Sequence, residues 1–132
     1  MAAFTNYVED EILDHILGKT AIYTMVAVHV ALSTTTPTEA GGNFTEPSGN
    51  GYARKTTAGA DWTASSNGVT SNATSLAFPQ ATGTWGTVTH FGIYDASTAG
   101  NLLMWGALGT SKAIGNQDTA SFAIGELDIT LD

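Results

Sequence analysis

The sequence predicts an all-β fold, either an antiparallel β-sandwich or a jelly-roll-like domain, with a short amphipathic helix at the N-terminus. Short strand-like runs recur at spacings of about ten residues after residue 50, as in sandwiches. The turn dipeptides Asn50-Gly51 and Asn67-Gly68 separate some of these runs, because both residue types accept positive φ. The chain has 132 residues, which predicts a single domain over 1–132.

The helix is predicted within residues 1–18. Thr5 or Asn6 can cap it, Asn6 and Glu9 have the spacing of a capping box, and Gly18 stands where a helix commonly ends. A helix of about three turns is not stable alone, so its apolar stripe is expected to dock on this domain or on a neighbouring chain. The stripe consists of Val8, Ile12, Leu13, Ile16 and Leu17.

The first strand is predicted from residue 25 to residue 32, where apolar residues alternate with smaller ones. One face carries Val26, Val28, Val30 and Leu32, and the other carries Ala27, His29 and Ala31. The segment 33–51 that follows is rich in Thr, Pro, Gly and Asn and predicts a long exposed loop.

The remaining strands are predicted as separate short runs, with Gly100-Asn101 closing a hairpin between the two longest. The run Leu102–Leu108 does not alternate, which predicts cover on both faces, by the domain's own second layer or by another subunit. The predicted runs are Tyr52–Thr57, Ala60–Ala64, Val69–Thr70, Ser75–Phe78, Trp85–Tyr94, Leu102–Leu108, Thr119–Ala123 and Leu127–Leu131.

Composition excludes several classes of function. The net charge is -8, with 4 Lys+Arg against 12 Asp+Glu, so the chain lacks the cations that a nucleic-acid-binding protein needs. No apolar run is long enough to cross a membrane, and no signal peptide is visible, which predicts a protein that is made and kept in a cytoplasm. Because cysteine is absent, disulfides and thiolate chemistry are excluded.

The sequence does not predict an enzyme, a metal site or a cofactor. His15, His29 and His90 have no ligand spacing, and nucleotide-binding and hydrolase motifs are absent. Asp95 is interpreted as a turn residue that bonds its own backbone. Hydrolysis through Asp95 or His90 is the weakest alternative. A second alternative function is a carbohydrate-binding module that stacks sugars on tryptophan rings, using Trp62, Trp85 or Trp105.

Several blocks of the sequence resemble a family of small virion proteins of tailed phages. The most specific block runs from Trp85 to Ala96, and the resemblance extends from about Ala27 to the C-terminus. Further matching blocks are 30–34, 37–41, 51–55, 68–72, Phe78-Pro79, 100–103, 106–108 and 125–131. Members of this family are labelled as tail or tail-fibre proteins, and similar small β proteins decorate heads. The resemblance implies a structural virion protein with no catalytic motif.

The residues and the resemblance together predict a protein that decorates or cements the outer surface of the head, as a trimer bound to the major capsid protein. The alternative is a tail component, such as a fibre base or adaptor. In either position the N-terminal helix and the 33–51 loop are expected to clamp neighbouring subunits. The predicted assembly interface is Val8, Ile12, Leu13, Ile16, Leu17, Leu103 and Trp105.

Overall fold

The computed structural model describes residues 2–19, 25 and 27–131, so the predicted strand position Val26 lies outside it. The described strands pair only in antiparallel fashion, which confirms the predicted all-β fold with one short N-terminal helix. In chain order the elements are β1 (Ala2–Phe4), α1 (Asn6–Ile16), β2 (Val28–Ser33), β3 (Lys55–Thr57), a 3₁₀ turn (Gly59–Asp61), β4 (Val69–Ser71), β5 (Leu76–Ala77), β6 (Gly86–Tyr94), β7 (Leu102–Ile114), β8 (Ser121–Phe122) and β9 (Asp128–Thr130).

The strands form two layers around one main core. The first layer is a five-stranded sheet in the order β1-β7-β6-β2-β3, and the second consists of two ribbons, β4-β9 and β5-β8. We call the side of the sheet that faces the ribbons the inner face and the opposite side the outer face. The core between the layers contains Val30, Leu32, Leu76, Phe78, Ala81, Trp85, Val88, Phe91, Ile93, Leu103, Ile114, Leu127 and Ile129.

Strand β2 follows the predicted alternation. Val30 and Leu32 pack in the main core, whereas Ala31 lies on the outer face in a second cluster with Tyr94 and Leu102. Side chains of successive strand residues point to opposite faces, so the even positions supply the core as the sequence predicts.

Strand β7 fails to alternate because it contains a bulge. Ile93 pairs with Met104, but Tyr94, the next residue of β6, pairs with Leu102. Leu103 is therefore an extra residue, and it joins the main core while Leu102 joins the outer cluster. Apolar side chains thus occur on both faces of β7, as predicted, and this chain itself supplies a layer on each face.

The helix begins at a different residue from the predicted capping box. Thr5 is the N-cap, and Asn6 is already helical, so the Asn6–Glu9 box does not form. The Thr5 hydroxyl instead donates to the carbonyls of Leu102 and Leu103, at 2.6 Å and 3.2 Å. The helix therefore begins where its first residues are fixed to β7.

Three parts of the architecture differ from the sequence prediction. Residues 2–4 form an additional strand, β1, which pairs with β7 through Phe4 and Met104. The predicted strand Ala60–Ala64 is wrong, because residues 59–61 form a 3₁₀ turn closed by the Asp61 carboxylate on the Ala58 amide, and Trp62 forms only an isolated bridge with Asn72. Strand β7 also continues beyond Leu108 to Ile114.

Candidate functional site

The far end of α1 is an exposed apolar surface. Leu13, Ile16 and Leu17 are 56%, 71% and 69% exposed, and we call these three residues the helix-end patch. The beginning of the helix is attached differently, because Tyr7 and Val8 pack against the main core. Side chains at positions i, i+3 and i+4 are neighbours on a helix, so the patch is continuous.

The other predicted interface residues lie closer to the domain. Leu103 is 3% exposed inside the main core, so the prediction that it contacts another subunit is wrong. Val8 and Ile12 are half-buried. Trp105 is half-buried against the outer cluster, with its ring 5.9 Å from that of His90. The patch thus contains the predicted interface residues that are most available to a partner.

The segment 34–51 folds back on the outer face of the sheet. Its Phe44 ring packs edge-on against Tyr94, with ring centroids 5.3 Å apart. The ring also lies so close to Gly92 that a Cβ there would collide with it. Hydrogen bonds fix the segment to its own beginning, from Thr34 N to the carbonyl of Thr45 and from Asn43 Nδ2 to the carbonyl of Thr36. This chain therefore covers part of its own outer face.

A polar network anchors the same segment to the sheet. Arg54 donates to Glu46 through Nε at 3.0 Å and Nη2 at 2.8 Å, and the Arg54 side chain is 6% exposed. Tyr52 donates to Glu46 at 2.7 Å, and burial is the largest cause that raises the pKa of Tyr52. Burial is the largest single influence on the pKa of Arg54 and lowers it, but the hydrogen bond and charge of Glu46, together with Tyr94 and Tyr52, outweigh burial and raise this pKa. The network is a structural clamp with its donors and acceptors paired.

A second bulge in β7 opens an apolar cleft. Val88 pairs with Lys112 and His90 with Ala107, so the four residues 108–111 of β7 lie opposite Thr89 alone. The cleft has a volume of about 510 Å³ between this bulge and the segment 119–127. Its floor is the edge of the main core, and its rim is polar. The apolar residues of the lining include Leu32, Val88, Phe91, Leu108, Ile114, Phe122 and Leu127. The polar residues of the lining are Thr110, Lys112, Thr119, Ser121 and Glu126.

The histidines are distributed over the surface of the domain. His15 is exposed on α1, His29 Nδ1 lies 2.9 Å from the Thr56 hydroxyl, and His90 Nδ1 lies 2.8 Å from that of Thr89. Within residues 2–19, 25 and 27–131, no three His, Cys, Asp or Glu side chains form a group that could hold a metal ion. The described histidines thus have ordinary structural surroundings.

Asp95 is the turn residue that the sequence predicts. Its carboxylate accepts hydrogen bonds from the backbone N of Asn101 at 2.7 Å and from Asn101 Nδ2 at 2.9 Å. It thereby closes the β6–β7 hairpin, where Gly100 has a φ of 76°. The predicted hairpin at Gly100-Asn101 is confirmed.

The tryptophans do not form a common exposed platform. Trp85 is 5% exposed in the core and donates to the carbonyl of Asn50, so the prediction that it stacks on a sugar is wrong. Trp62 is half-buried and donates to the Thr57 hydroxyl. Trp105 lies on the outer face, and its buried Nε1 has no acceptor among the described residues.

The fold and its surfaces define a small two-layer β domain with an outer face that its own chain partly covers, an exposed apolar helix end and an apolar cleft. None of the helices in the described part of the chain is long and apolar enough to cross a membrane. A family model described as "Podophage GP4 fiber I protein gp80" matches residues 3–130. The chain belongs to this family and is a phage structural protein, which confirms the resemblance to small phage virion proteins. No curated protein matches the sequence.

Proposed function

We propose that the protein is a fibre component on the outside of the phage particle and that the helix-end patch attaches it to a neighbouring chain. The family description names a podophage fibre protein and covers residues 3–130. The observation that carries the attachment is the exposure of Leu13 and Ile16 on α1 and of Leu17 at its C-cap.

Burial of this patch supplies a substantial driving force. Complete burial of a Leu or Ile side chain stabilises by about 1.5–3 kcal/mol. The patch has three such side chains, each more than half exposed, so a partner that covers it gains several kcal/mol, within the range that interface anchors contribute.

The charge of the chain supports a position outside the packaged genome. The net charge is -8, and four of the acidic residues lie in α1. DNA carries a dense negative charge, so repulsion disfavours contact with the genome. An external position satisfies both the charge and the family description.

Decoration of the capsid exterior is the second candidate, and the same charge supports it. The number of copies per particle distinguishes a fibre component from a capsid decoration protein. Quantitative mass spectrometry of purified particles measures this number relative to the major capsid protein. We expect a small multiple of three or six copies, as for a fibre. Hundreds of copies per particle would overturn the fibre assignment in favour of capsid decoration.

The attachment is tested by changing the patch and measuring incorporation into particles. We expect the variant Leu13→Ser/Ile16→Ser/Leu17→Ser to remain folded but to be lost from particles. Ile124→Ser is a matched control, because Ile124 is 69% exposed at a different place. Normal incorporation of the triple variant, with an unchanged circular dichroism spectrum, would contradict the attachment.

Point substitutions are preferable to deletion of residues 1–18. The deletion would also remove β1, which pairs with β7, and Thr5, which bonds two carbonyls of β7. If a truncated chain were lost from particles, the loss could result either from the missing helix-end patch or from a destabilised domain.

A further inference from the structure

The cleft beside the second bulge of β7 has the form of a receptor for apolar side chains. Its volume of about 510 Å³ lies within the range of protein binding pockets, about 300–1,000 Å³. The floor includes Phe91 and Leu127 of the main core, and Phe122 forms part of the wall. An apolar floor with a polar rim favours a ligand that is apolar at its centre and charged at its margins.

The helix-end patch has this composition. Leu13 and Leu17 follow Asp10 and Asp14 at helical spacing, so carboxylates flank the apolar side chains on neighbouring positions. The three side chains of the patch contain four carbons each. If each carbon is assigned about 30 Å³, which is the volume that one water molecule occupies in the liquid, the three side chains need roughly 360 Å³. The cleft therefore has room for the whole patch.

One cation at the rim is available to an acidic group of a partner. Lys112 lines the cleft, and no salt bridge involves it within the part of the chain that the structure describes. Glu126, also on the rim, accepts a hydrogen bond from the Ala123 amide at 2.7 Å, so its carboxylate is engaged by its own turn. Asp10 or Asp14 of an entering helix can therefore pair with Lys112.

The start of α1 and the cleft of one molecule lie at different places along β7. Thr5, which precedes α1, donates from its N to the carbonyl of Leu103, whereas the cleft reaches Lys112. At about 3.3 Å per residue, and allowing for the bulge, these points are on the order of 20 Å apart. No residue of α1 lines the cleft. This placement suits a contact between two molecules.

We propose that the cleft receives the helix-end patch of a second copy of this chain. The inference rests on the proposed function, because it names the neighbour to which the patch attaches. Since the two surfaces differ, the contact is head-to-tail, and its repetition closes a ring or extends a row of copies. The three patch residues enter the cleft, and a carboxylate of α1 pairs with Lys112.

The absence of cysteine makes a direct cross-linking test possible. Leu17→Cys is introduced into one tagged preparation and Ser121→Cys, on the cleft rim, into another, and the mixture is oxidised mildly. We expect a disulfide-linked heterodimer in about tenfold excess over a mixture of Ile124→Cys and Ser121→Cys. Leu17 and Ile124 are both 69% exposed, so equal yields in the two mixtures would overturn the inference.

A charge exchange tests the same contact without a disulfide. Lys112→Glu lies on an exposed position, and we expect it to weaken self-association about tenfold by sedimentation equilibrium. Asp14→Lys in the same chain should restore association, since the pair is then reversed. Association that is insensitive to both substitutions would contradict the proposed pairing.

The outcomes separate this inference from the proposed function. If the patch variant is lost from particles but the cross-link does not form, the neighbour is another virion protein and this inference fails alone. If the patch variant is incorporated normally, the proposed attachment itself fails. A cross-link that forms, together with loss of incorporation, supports both.

Discussion

The guanidinium carbon of Arg54 lies 3.7 Å from the centroid of the Tyr94 ring. The same guanidinium donates from Nη1 to the carbonyls of Ala96 and Ala99, each at 2.8 Å, and forms the ion pair with Glu46. One side chain thus joins the covering segment 34–51, the sheet and the β6–β7 hairpin. A planar, always charged group is suited to this position, because it can stack and form several hydrogen bonds at once.

Removal of Arg54 should destabilise the domain strongly. We expect Arg54→Ala to lower the free energy of unfolding by about 3 kcal/mol, since it leaves Glu46 without its ion-pair partner and the carbonyls of Ala96 and Ala99 without the Arg54 donor. Arg54→Lys should fall between the wild type and Arg54→Ala. Urea denaturation followed by tryptophan fluorescence measures the change. Lys112→Ala, at an exposed position, is the control, and an equal effect of both alanine variants would disprove the role of the network.

The approach of Phe44 to Gly92 gives a second prediction. A Cβ at Gly92 would collide with the Phe44 ring and lie 2.7 Å from Leu102 Cδ1. We expect Gly92→Ala to cost about 1–3 kcal/mol, as overpacking does. The cost should be smaller in a Phe44→Ala background, because the added methyl group then no longer meets the Phe44 ring. A double-mutant cycle by urea denaturation measures this coupling.

Gly109→Ala is the control for Gly92→Ala. Gly109 is exposed, and a Cβ there would have nothing within 4 Å. This variant should change stability by less than about 0.5 kcal/mol. If Gly92→Ala were equally mild, or equally costly with and without Phe44, the segment would not be packed on the outer face.

Asn72 gives a third prediction because it is fully buried and completely bonded. Its Nδ2 donates to the carbonyls of Thr74 and Ala123, and its Oδ1 accepts from the Leu127 amide. We expect Asn72→Ala to cost about 3 kcal/mol, since buried backbone groups lose their partners. Thermal unfolding compares Asn72→Ala with Asn116→Ala, a substitution at an exposed position. Similar melting temperatures of the two variants would refute the structural role of Asn72.

Asp61 links stability to pH. Hydrogen bonds from the Ala58 amide and the Thr74 hydroxyl lower the pKa of Asp61 from its ordinary 3.8. Because the folded-state pKa is the lower one, its stabilising contribution is present above pH 3.8 and is lost as pH falls through the folded-state value. Asp61→Asn should therefore flatten the acid limb of the stability profile. The carboxyl carbon, followed by NMR, should titrate at a higher pH in Thr74→Val, and an unchanged midpoint would argue against the hydroxyl's contribution.

The helix, the turns and the first long strand were predictable because short-range physics specifies them. Gly18 has a φ of 74°, as expected of a glycine that ends a helix, and the pairs Asn50-Gly51 and Asn67-Gly68 all have positive φ. Alternation identified Val30 and Leu32 as core residues. These signals require only neighbouring residues, so one sequence was sufficient to recognise them.

The features that the sequence did not predict depend on distant partners. Strand β1 has three residues and exists because β7 offers it an edge. The extension of β7 to Ile114 crosses the wide bulge at 108–111, which removes the alternation that marks a strand. The sequence predicts that Leu103 contacts another subunit because the run around it does not alternate, but a one-residue bulge places it in the core.

The same distinction applies to the candidate site. Amphipathic spacing was sufficient to identify Leu13, Ile16 and Leu17, and the structure shows them exposed. The cleft could not be predicted, because its lining comes from β2, β6, β7 and the segment 119–127. Nor could the position of Phe44, since its contact with Tyr94 spans 50 residues of chain.

The placement of β1 and β3 at the two edges of the sheet affects how the protein behaves when many copies crowd together. Each edge strand has only three residues, and the part of β7 beyond β1 is distorted by its bulge. Long, flat edges template amyloid-like growth through backbone pairing, whereas short or bulged ones resist it. Dense local accumulation during virus assembly should thus leave the molecules discrete instead of fusing them into continuous sheets.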